Sequence, residues 1–158
     1  MLKQPKDITF HYTNEQMVRD LLAITPIEGS VLDAGSGKNK VWFNNLKGEK
    51  YECEIENGND FYKWNKKVNW VVGNPPFHES WKFTEKAIEI AQQGVAWLVN
   101  NLALNSHFTP RRIKLMMDKG FYLNHIRVVA DKRWFGRYYY LIFTKIDKGF
   151  LSQELKSY

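Results

Sequence analysis

Four consecutive residues, Asn74-Pro75-Pro76-Phe77, place an amide, two stiff backbone positions and an aromatic ring directly after the apolar run 68–73. Such a run predicts a buried strand, and open α/β sheets bind ligands at the carboxyl edge of their strands. The Asn74 side chain offers a carbonyl acceptor, Pro75 leaves the neighbouring carbonyl groups without a competing local N–H, and Phe77 offers a stacking face. The set favours the binding of a planar group that carries an exocyclic or amide nitrogen, with a rigid Pro-Pro turn as the alternative interpretation.

A glycine turn upstream indicates a second candidate site. Residues 30–39 read as a short apolar strand that runs into a turn containing Gly35 and Gly37. Glycine permits positive φ and lets the backbone approach a ligand closely. The spacing is not that of a phosphate-binding P-loop, and Asn39 stands where the dinucleotide fingerprint has its third glycine. The turn therefore predicts close backbone contact with a ligand at the end of the first strand.

The strand-like segment 51–55 supplies an acid suited to binding a ribose diol, as acids at the end of the second strand do in Rossmann-type sites. Strand alternation gives Glu52 and Glu54 the same facing, so either acid could serve. We favour Glu54 because it lies nearer the carboxyl edge of the strand.

Together, Asp33-Ala34-Gly35-Ser36-Gly37 and Asn74-Pro75-Pro76-Phe77 resemble motifs I and IV of the S-adenosylmethionine-dependent amino-methyltransferases. The resemblance is strongest to the N6-adenine DNA methyltransferases, in particular the small stand-alone enzymes of phages and mobile elements, and spans roughly residues 10–145. It implies methyl transfer from S-adenosylmethionine, with S-adenosylhomocysteine as product, to the exocyclic N6 amine of adenine in DNA. It also assigns catalysis to Asn74, Pro75, Pro76 and Phe77.

Other family motifs follow in the expected order and imply a cofactor site. Residues 10–13 resemble motif X, which holds the methionine end of the cofactor, and Glu54 resembles the motif II acid on the ribose. Residues 59–61 resemble motif III, whose acid binds the cofactor's adenine N6 and whose aromatic ring packs on that adenine. The resemblance thereby assigns cofactor binding to Tyr12, Thr13, Asp33, Ala34, Gly35, Gly37, Glu54, Asp60, Phe61 and Asn74.

The charge pattern indicates a polyanionic partner. The chain has a formal net charge of +6 and a pI of about 9.3, and residues 105–145 hold nine Lys or Arg against two acids. Basic residues interleaved with aromatics suit phosphate contact and base stacking, although an ordinary solvated face has a similar composition. The loop 132–137 resembles motif VIII, which supplies an aromatic ring against the target base, and we favour Phe135 over Trp134 for that role. The predicted substrate contacts are Phe77, His78, Arg111, Arg112, Lys132, Arg133, Trp134, Phe135 and Arg137.

Alternatives to the DNA adenine target stay open. The sequence Asn74-Pro75-Pro76-Phe77-His78 is shared with ribosomal-RNA guanine-N2 methyltransferases, so an RNA base amine, adenine N6 or guanine N2, is the second interpretation. The N6-adenine enzymes with this motif order usually carry a C-terminal target-recognition domain, and only thirteen residues follow Lys145. We therefore predict a single methyltransferase domain over residues 1–158, with a partner subunit as one source of specificity. Protein glutamine-amide methylation and a non-catalytic nucleic-acid-binding subunit are further alternatives.

Several classes of protein are excluded by residues the chain lacks. Cys53 is the single cysteine, which excludes a disulfide framework, a cysteine metal cluster and the nucleophile of cytosine-C5 methylation. The four histidines have no zinc-like spacing, so no metal is predicted. No apolar run approaches about eighteen residues and the N-terminus has no apolar signal core, so we expect a cytoplasmic protein with no membrane partner.

Apolar periodicity predicts alternating strands and helices in one α/β domain. The resemblance implies a Rossmann-like class I methyltransferase domain with a mostly parallel seven-stranded sheet, an antiparallel C-terminal strand and helices on both faces. The last two strands are expected to pair in antiparallel around the 131–137 loop. Helices are predicted at 14–24, 81–93 and 110–119, strands at 31–34, 51–55, 70–73, 95–99, 122–129 and 138–144, and a further short element around 60–61.

Overall fold

One sheet of six strands forms the centre of the computed structural model, which describes residues 13–130 and 137–149. The strands are β1 (Val31–Ala34), β2 (Lys50–Cys53), β3 (Val68–Gly73), β4 (Ala91–Asn100), β5 (Tyr122–Val129) and β6 (Tyr138–Thr144). They lie in the order β2-β1-β3-β4-β6-β5. The first four pair in parallel, and β6 pairs antiparallel with both β4 and β5. This confirms the predicted α/β fold with a mostly parallel sheet and an antiparallel C-terminal strand.

The short element predicted around 60–61 is a 3-10 helix, Phe61–Lys63, so the described sheet has six strands where the sequence predicted seven. The Asp60 side chain accepts the backbone N–H of Tyr62 at 3.0 Å, and such local side-chain bonds favour turns over strand pairing. The strand predicted at 51–55 ends at Cys53. There the Glu54 side chain accepts the backbone N–H of Glu56 at 3.3 Å, and the 3-10 helix Ile55–Asn57 begins.

Helices cover both faces of the sheet, as predicted. In the described residues they are α1 (Glu15–Ala23), α2 (Val41–Asn45), α3 (Ser80–Ile90), α4 (Asn101–His107) and α5 (Pro110–Asp118). The first two pack on one face through Val18, Leu21 and Trp42. The other three pack on the opposite face, where Phe83, Ala103 and Met116 enter the second core. No helix in these described ranges is both long and apolar enough to cross a membrane.

Local capping explains where two of these helices begin. The Asn14 side chain accepts the Met17 backbone N–H at 3.0 Å, which satisfies a free donor in the first turn of α1. Pro110 occupies the start of α5, where a missing N–H has no cost, and Thr109 caps that turn. Both helices therefore start within a residue of the predicted position.

Candidate active site

A pocket lies where the carboxyl ends of β1, β2 and β3 meet. Its cavity volume is about 180 Å³. We call it the edge pocket. Six residues predicted for cofactor binding or catalysis line it together, namely Gly35, Glu54, Asp60, Phe61, Asn74 and Pro76. Its other lining residues are Cys53, Ile55, Asn59, Tyr62, Glu79 and Phe83.

The glycine turn after β1 is held against the end of β2 by hydrogen bonds. The backbone N–H groups of Gly35 and Ser36 donate to the Cys53 carbonyl at 2.9 and 3.0 Å, and the Gly37 N–H donates to Glu54 Oε2 at 2.7 Å. Gly35 has φ +77° and Gly37 has φ +68°, in the left-handed region that favours glycine. Gly35 therefore presents backbone with no side chain to the edge pocket.

The structure separates the two acids that the sequence left equivalent. Glu54 lines the edge pocket. Glu52 instead accepts the Ser36 hydroxyl at 2.8 Å and forms an ion pair with Lys40. Although partial burial opposes its ionisation, the bonds from Lys40 and Ser36 hold the pKa of Glu52 below its ordinary value. Glu54 is therefore the acid placed for a ligand, and its contact with a ribose stays a prediction.

Asp33 lies beneath the glycine turn and is fully buried. Its Oδ2 accepts the backbone N–H of Phe43 at 3.0 Å, in the first turn of α2, and its Oδ1 has no partner among the described residues. Burial, partly offset by the Phe43 bond and reinforced by the charges of Glu52 and Glu54, raises the pKa of Asp33 to about 8. Neither Asp33 nor the equally buried Ala34 lines the edge pocket, so their contact with a cofactor stays a prediction.

The Asn74 carboxamide is bonded at both ends. Its Nδ2 donates to Thr13 Oγ1 at 3.0 Å, and its Oδ1 accepts the indole N–H of Trp42 at 2.8 Å. The preceding residue, Gly73, allows β3 to end close to β1, because a Cβ there would lie 3.0 Å from the Ala34 carbonyl oxygen. Asn74 therefore has a fixed position in the wall of the pocket, with Thr13 next to it.

The predicted substrate residues at the carboxyl edge lie near the beginning of β6. Phe77 is half-buried and contacts Tyr138, with ring centroids 6.0 Å apart at an angle of 53°. Tyr138 pairs with Asn100, at the carboxyl end of β4, and the exposed Arg137 precedes it. His78 is exposed beside Phe77. The predicted residues Tyr12, Lys132, Arg133, Trp134 and Phe135 lie outside the described residues.

Arg111 and Arg112 lie in a second groove, of about 460 Å³, between the beginnings of α3 and α5. The Arg112 guanidinium lies 4.8 Å above the Trp81 ring and donates to the Ser106 carbonyl at 2.6 Å. Arg111 is exposed. Since α3 begins at Ser80, this Trp81 groove follows motif IV closely along the chain. The groove is lined by Trp81, Glu85, Thr109, Arg111, Arg112 and Leu115.

Sequence reasoning missed three residues that shape the site. Trp42 holds Asn74 from a helix that no local pattern predicted. Tyr62 and Phe83 form one wall, with ring centroids 5.3 Å apart, and the Tyr62 hydroxyl donates to Glu79 at 3.3 Å. Phe83 lies inside the predicted helix 81–93, where nothing marks it as a pocket residue, and no periodicity marks the exposed Tyr62.

Comparison with known proteins identifies similar folds. No sequence profile of a known family matches the chain, and no curated protein matches it. Magnesium protoporphyrin IX methyltransferase from Synechocystis PCC 6803, with bound S-adenosylmethionine, is 15% identical with a TM-score of 0.55, over 82% of this chain and 76% of that chain. A protein from Pyrococcus horikoshii, provisionally assigned as an RNA methyltransferase, is 19% identical with a TM-score of 0.53, over 84% and 81%. Trm5b from Pyrococcus abyssi is 14% identical with a TM-score of 0.61, over 85% and 49%. The chain thus has the Rossmann-like fold of S-adenosylmethionine-dependent methyltransferases.

Proposed function

We propose that this chain is an S-adenosylmethionine-dependent methyltransferase that acts on the exocyclic N6 amine of adenine in DNA. The observation that carries the proposal is the placement of Asn74 in the same pocket as Gly35, Glu54 and Asp60. A polar group for an acceptor amine and a set of groups for an adenosine cofactor thus lie side by side. The shared fold of methyltransferases that bind S-adenosylmethionine supports this assignment.

The polar groups that line the edge pocket suit an adenosine cofactor. Glu54 and Asp60 both line this pocket, and we assign Glu54 to the ribose hydroxyl groups and Asp60 to the adenine amine. Ile55 is 68% exposed and lines the pocket, so it offers apolar surface to a purine ring. The methionine end of the cofactor is proposed to contact the backbone of Gly35 and Gly37 and the hydroxyl of Thr13. The other proposed cofactor contacts are Tyr12, Asp33, Ala34 and Phe61.

Bound there, S-adenosylmethionine supplies an electrophilic methyl group on a cationic sulfur, which becomes a neutral thioether as the amine nitrogen takes the methyl group and releases a proton to solvent. The protein must activate the amine, whose lone pair is delocalised into the base. The Asn74 Oδ1 and the Pro75 carbonyl are proposed to accept its two N–H groups and draw the nitrogen towards tetrahedral geometry. Positioning and fixed dipoles of this kind supply most of the rate enhancement in such reactions.

A nucleic-acid acceptor is supported by exposed basic residues. Arg137 is exposed before β6, and Arg111 is exposed in the Trp81 groove, where Arg112 lies over the Trp81 ring. Such cations suit contact with phosphates. A base inside a duplex is out of reach, so the target is proposed to be flipped out or single-stranded. Phe77 stacks on one of its faces, and His78, Lys132, Arg133, Trp134 and Phe135 complete the proposed contacts.

An RNA base amine is the second candidate substrate. The motif IV sequence is shared with ribosomal-RNA guanine-N2 enzymes, and the fold is shared with the Pyrococcus horikoshii protein assigned to RNA. Residues 1–158 are proposed to act as one domain in the cytoplasm, with a partner chain supplying any extended sequence specificity.

Transfer of labelled methyl groups tests the proposed class of acceptor. The purified chain is incubated with S-adenosylmethionine tritiated in the methyl group and with DNA, RNA or protein in parallel, and N74A serves as the control. We expect label in DNA that disappears with N74A. Label in RNA alone selects the second candidate, while label in protein alone, or in none of the three, contradicts the proposed function.

A further inference from the structure

We propose that Trp42 is a positioning residue, whose indole N–H sets the orientation of the Asn74 carboxamide for methyl transfer. The inference rests on the proposed function, because it gives Trp42 a part in the same reaction. Trp42 does not line the edge pocket, so it acts through Asn74 and not on the substrate. Nothing in the sequence pattern connects these two residues, which lie 32 positions apart.

The partners of Asn74 decide which end of its amide is the oxygen. An indole nitrogen can only donate a hydrogen bond, whereas a threonine hydroxyl can donate or accept. Trp42 therefore requires an acceptor 2.8 Å away, which places Oδ1 towards it and leaves Nδ2 to Thr13. Without the indole N–H, both orientations of the amide would find a partner in Thr13. Trp42 is thus the group that selects one of them.

The selected orientation is the productive one for an amine acceptor. A carboxamide oxygen has two lone pairs, so Oδ1 can accept from Trp42 and from one N–H of the acceptor amine. A flipped amide would instead present N–H groups to the N–H groups of that amine. It would also set Nδ2 against the indole N–H. Both contacts are repulsive, so the flip removes the activation that Asn74 provides.

Trp42 is itself rigidly held. It is 3% exposed and stacks on Tyr140, with centroids 5.9 Å apart and ring planes at 18°. The Tyr140 hydroxyl shares a hydrogen bond of 2.6 Å with Thr25, and the adjacent Phe43 N–H donates to Asp33. The indole N–H is therefore preorganised before any substrate arrives, and preorganised donors cost no rearrangement during reaction.

A pair of matched Trp→Phe variants tests the inference. Trp70 lies in the same core at 2% exposure and its indole N–H donates to Gln93 at 3.1 Å, and neither residue lines the edge pocket. W42F and W70F thus each remove one buried indole hydrogen bond. We expect W42F to lower kcat by roughly tenfold, which is the rate effect that corresponds to the loss of one hydrogen bond. The KM for the cofactor should stay nearly unchanged. W70F is expected to keep kcat within about twofold.

Two further measurements separate orientation from general damage. A carboxylate has two equivalent oxygens and needs no orienting, so W42F should lower kcat by less than about twofold in an N74D background. If W42F does not fold, benzothienylalanine at position 42 keeps the ring shape and replaces the N–H with sulfur, and the same loss is expected. If N74D is itself inactive, the W42F–W70F pair decides alone.

The outcomes distinguish this inference from the proposed function. A parent chain that methylates none of the three acceptors overturns both. If the parent is active, three results overturn the role of Trp42 and leave the proposed function standing. They are an unchanged kcat in W42F, an equal loss of kcat in W70F, and the same loss of kcat from W42F in the parent and N74D backgrounds. A selective loss of kcat in W42F supports both.

Discussion

Asp33→Asn is expected to change how the stability of the fold depends on pH. The Asp33 carboxyl is fully buried, and burial raises its pKa to about 8 from the ordinary value of 3.8. The unfolded chain loses this proton near pH 4, whereas the folded chain keeps it until about pH 8. The folded state therefore binds more protons throughout that window, and the Asp33 contribution to stability falls as the pH rises.

The size of the effect follows from the shift. The slope is at most about 1.4 kcal/mol per pH unit, and the full shift sets an upper bound of roughly 6 kcal/mol, which relaxation around the buried carboxylate reduces. Asparagine keeps a carbonyl oxygen for the Phe43 N–H, which Asp33 now accepts at 3.0 Å, and it cannot ionise. D33N should therefore become more stable than the parent as the pH rises from 5 to 8, and the difference should stop growing above about pH 8.

Urea unfolding at pH 5, 6, 7, 8 and 9, followed by circular dichroism, measures this difference. Other titrating groups are common to both proteins and cancel in the comparison. We expect the free energy of unfolding of D33N relative to the parent to rise by about 2 kcal/mol or more between pH 5 and 8. A difference that stays constant across the range would refute the assignment of a neutral, buried Asp33.

Three other predictions concern ligands. Saturating S-adenosylmethionine should raise the melting temperature of the parent, and by less in D33A and E54Q. E52Q is the matched control and should show the same rise as the parent. No rise in a folded parent would contradict the cofactor site. N74A should lower turnover by about a hundredfold or more while cofactor affinity changes little, and near-normal turnover would exclude the proposed mechanism. Substituting Arg133 and Arg137 together should weaken binding to DNA of all sequences about equally and flatten the salt dependence of that binding. The chain by itself should methylate short or loosely defined target sequences. Modification confined to one motif of four or more base pairs would show that this chain reads bases itself.

Elements with local signals were predictable from the sequence. The strands at 122–129 and 138–144 were predicted at both ends, because β-branched and aromatic residues fill them and a glycine turn precedes the first. Gly120 follows the end of α5 and has φ +77°, in the left-handed conformation that glycine adopts readily. The edge pocket was predictable in the same way, since the carboxyl ends of neighbouring parallel strands meet at one edge.

Elements that depend on tertiary contacts were not predictable. The five-residue α2 has no side-chain cap, and the residue before it, Lys40, has φ 48°. Its stability comes from Asp33, which accepts the Phe43 N–H, and from the burial of Trp42. The contact between Trp42 and Asn74 depends on this helix, so it was missed together with it.

The boundary between α3 and β4 was misplaced for a related reason. The predicted helix continued to 93 because apolar residues keep a helical spacing through Ala91, whereas α3 ends at Ile90. Gly94 packs against the Trp70 ring, where a Cβ would lie 2.4 Å from the ring. This close packing of neighbouring strands is set by the sheet, and the local sequence gives no sign of it.

The identity of the methylated atom tests the central claim most directly. Genomic DNA from a methylation-deficient strain is incubated with the chain and S-adenosylmethionine carrying a deuterated methyl group, digested to nucleosides and analysed by mass spectrometry, with N74A in parallel. The account predicts N6-methyl-2′-deoxyadenosine with the deuterated methyl group, formed by the parent chain and lost with N74A. Label on a carbon atom of any base, or label that persists in N74A, would contradict the claim that Asn74 activates an exocyclic amine in this pocket.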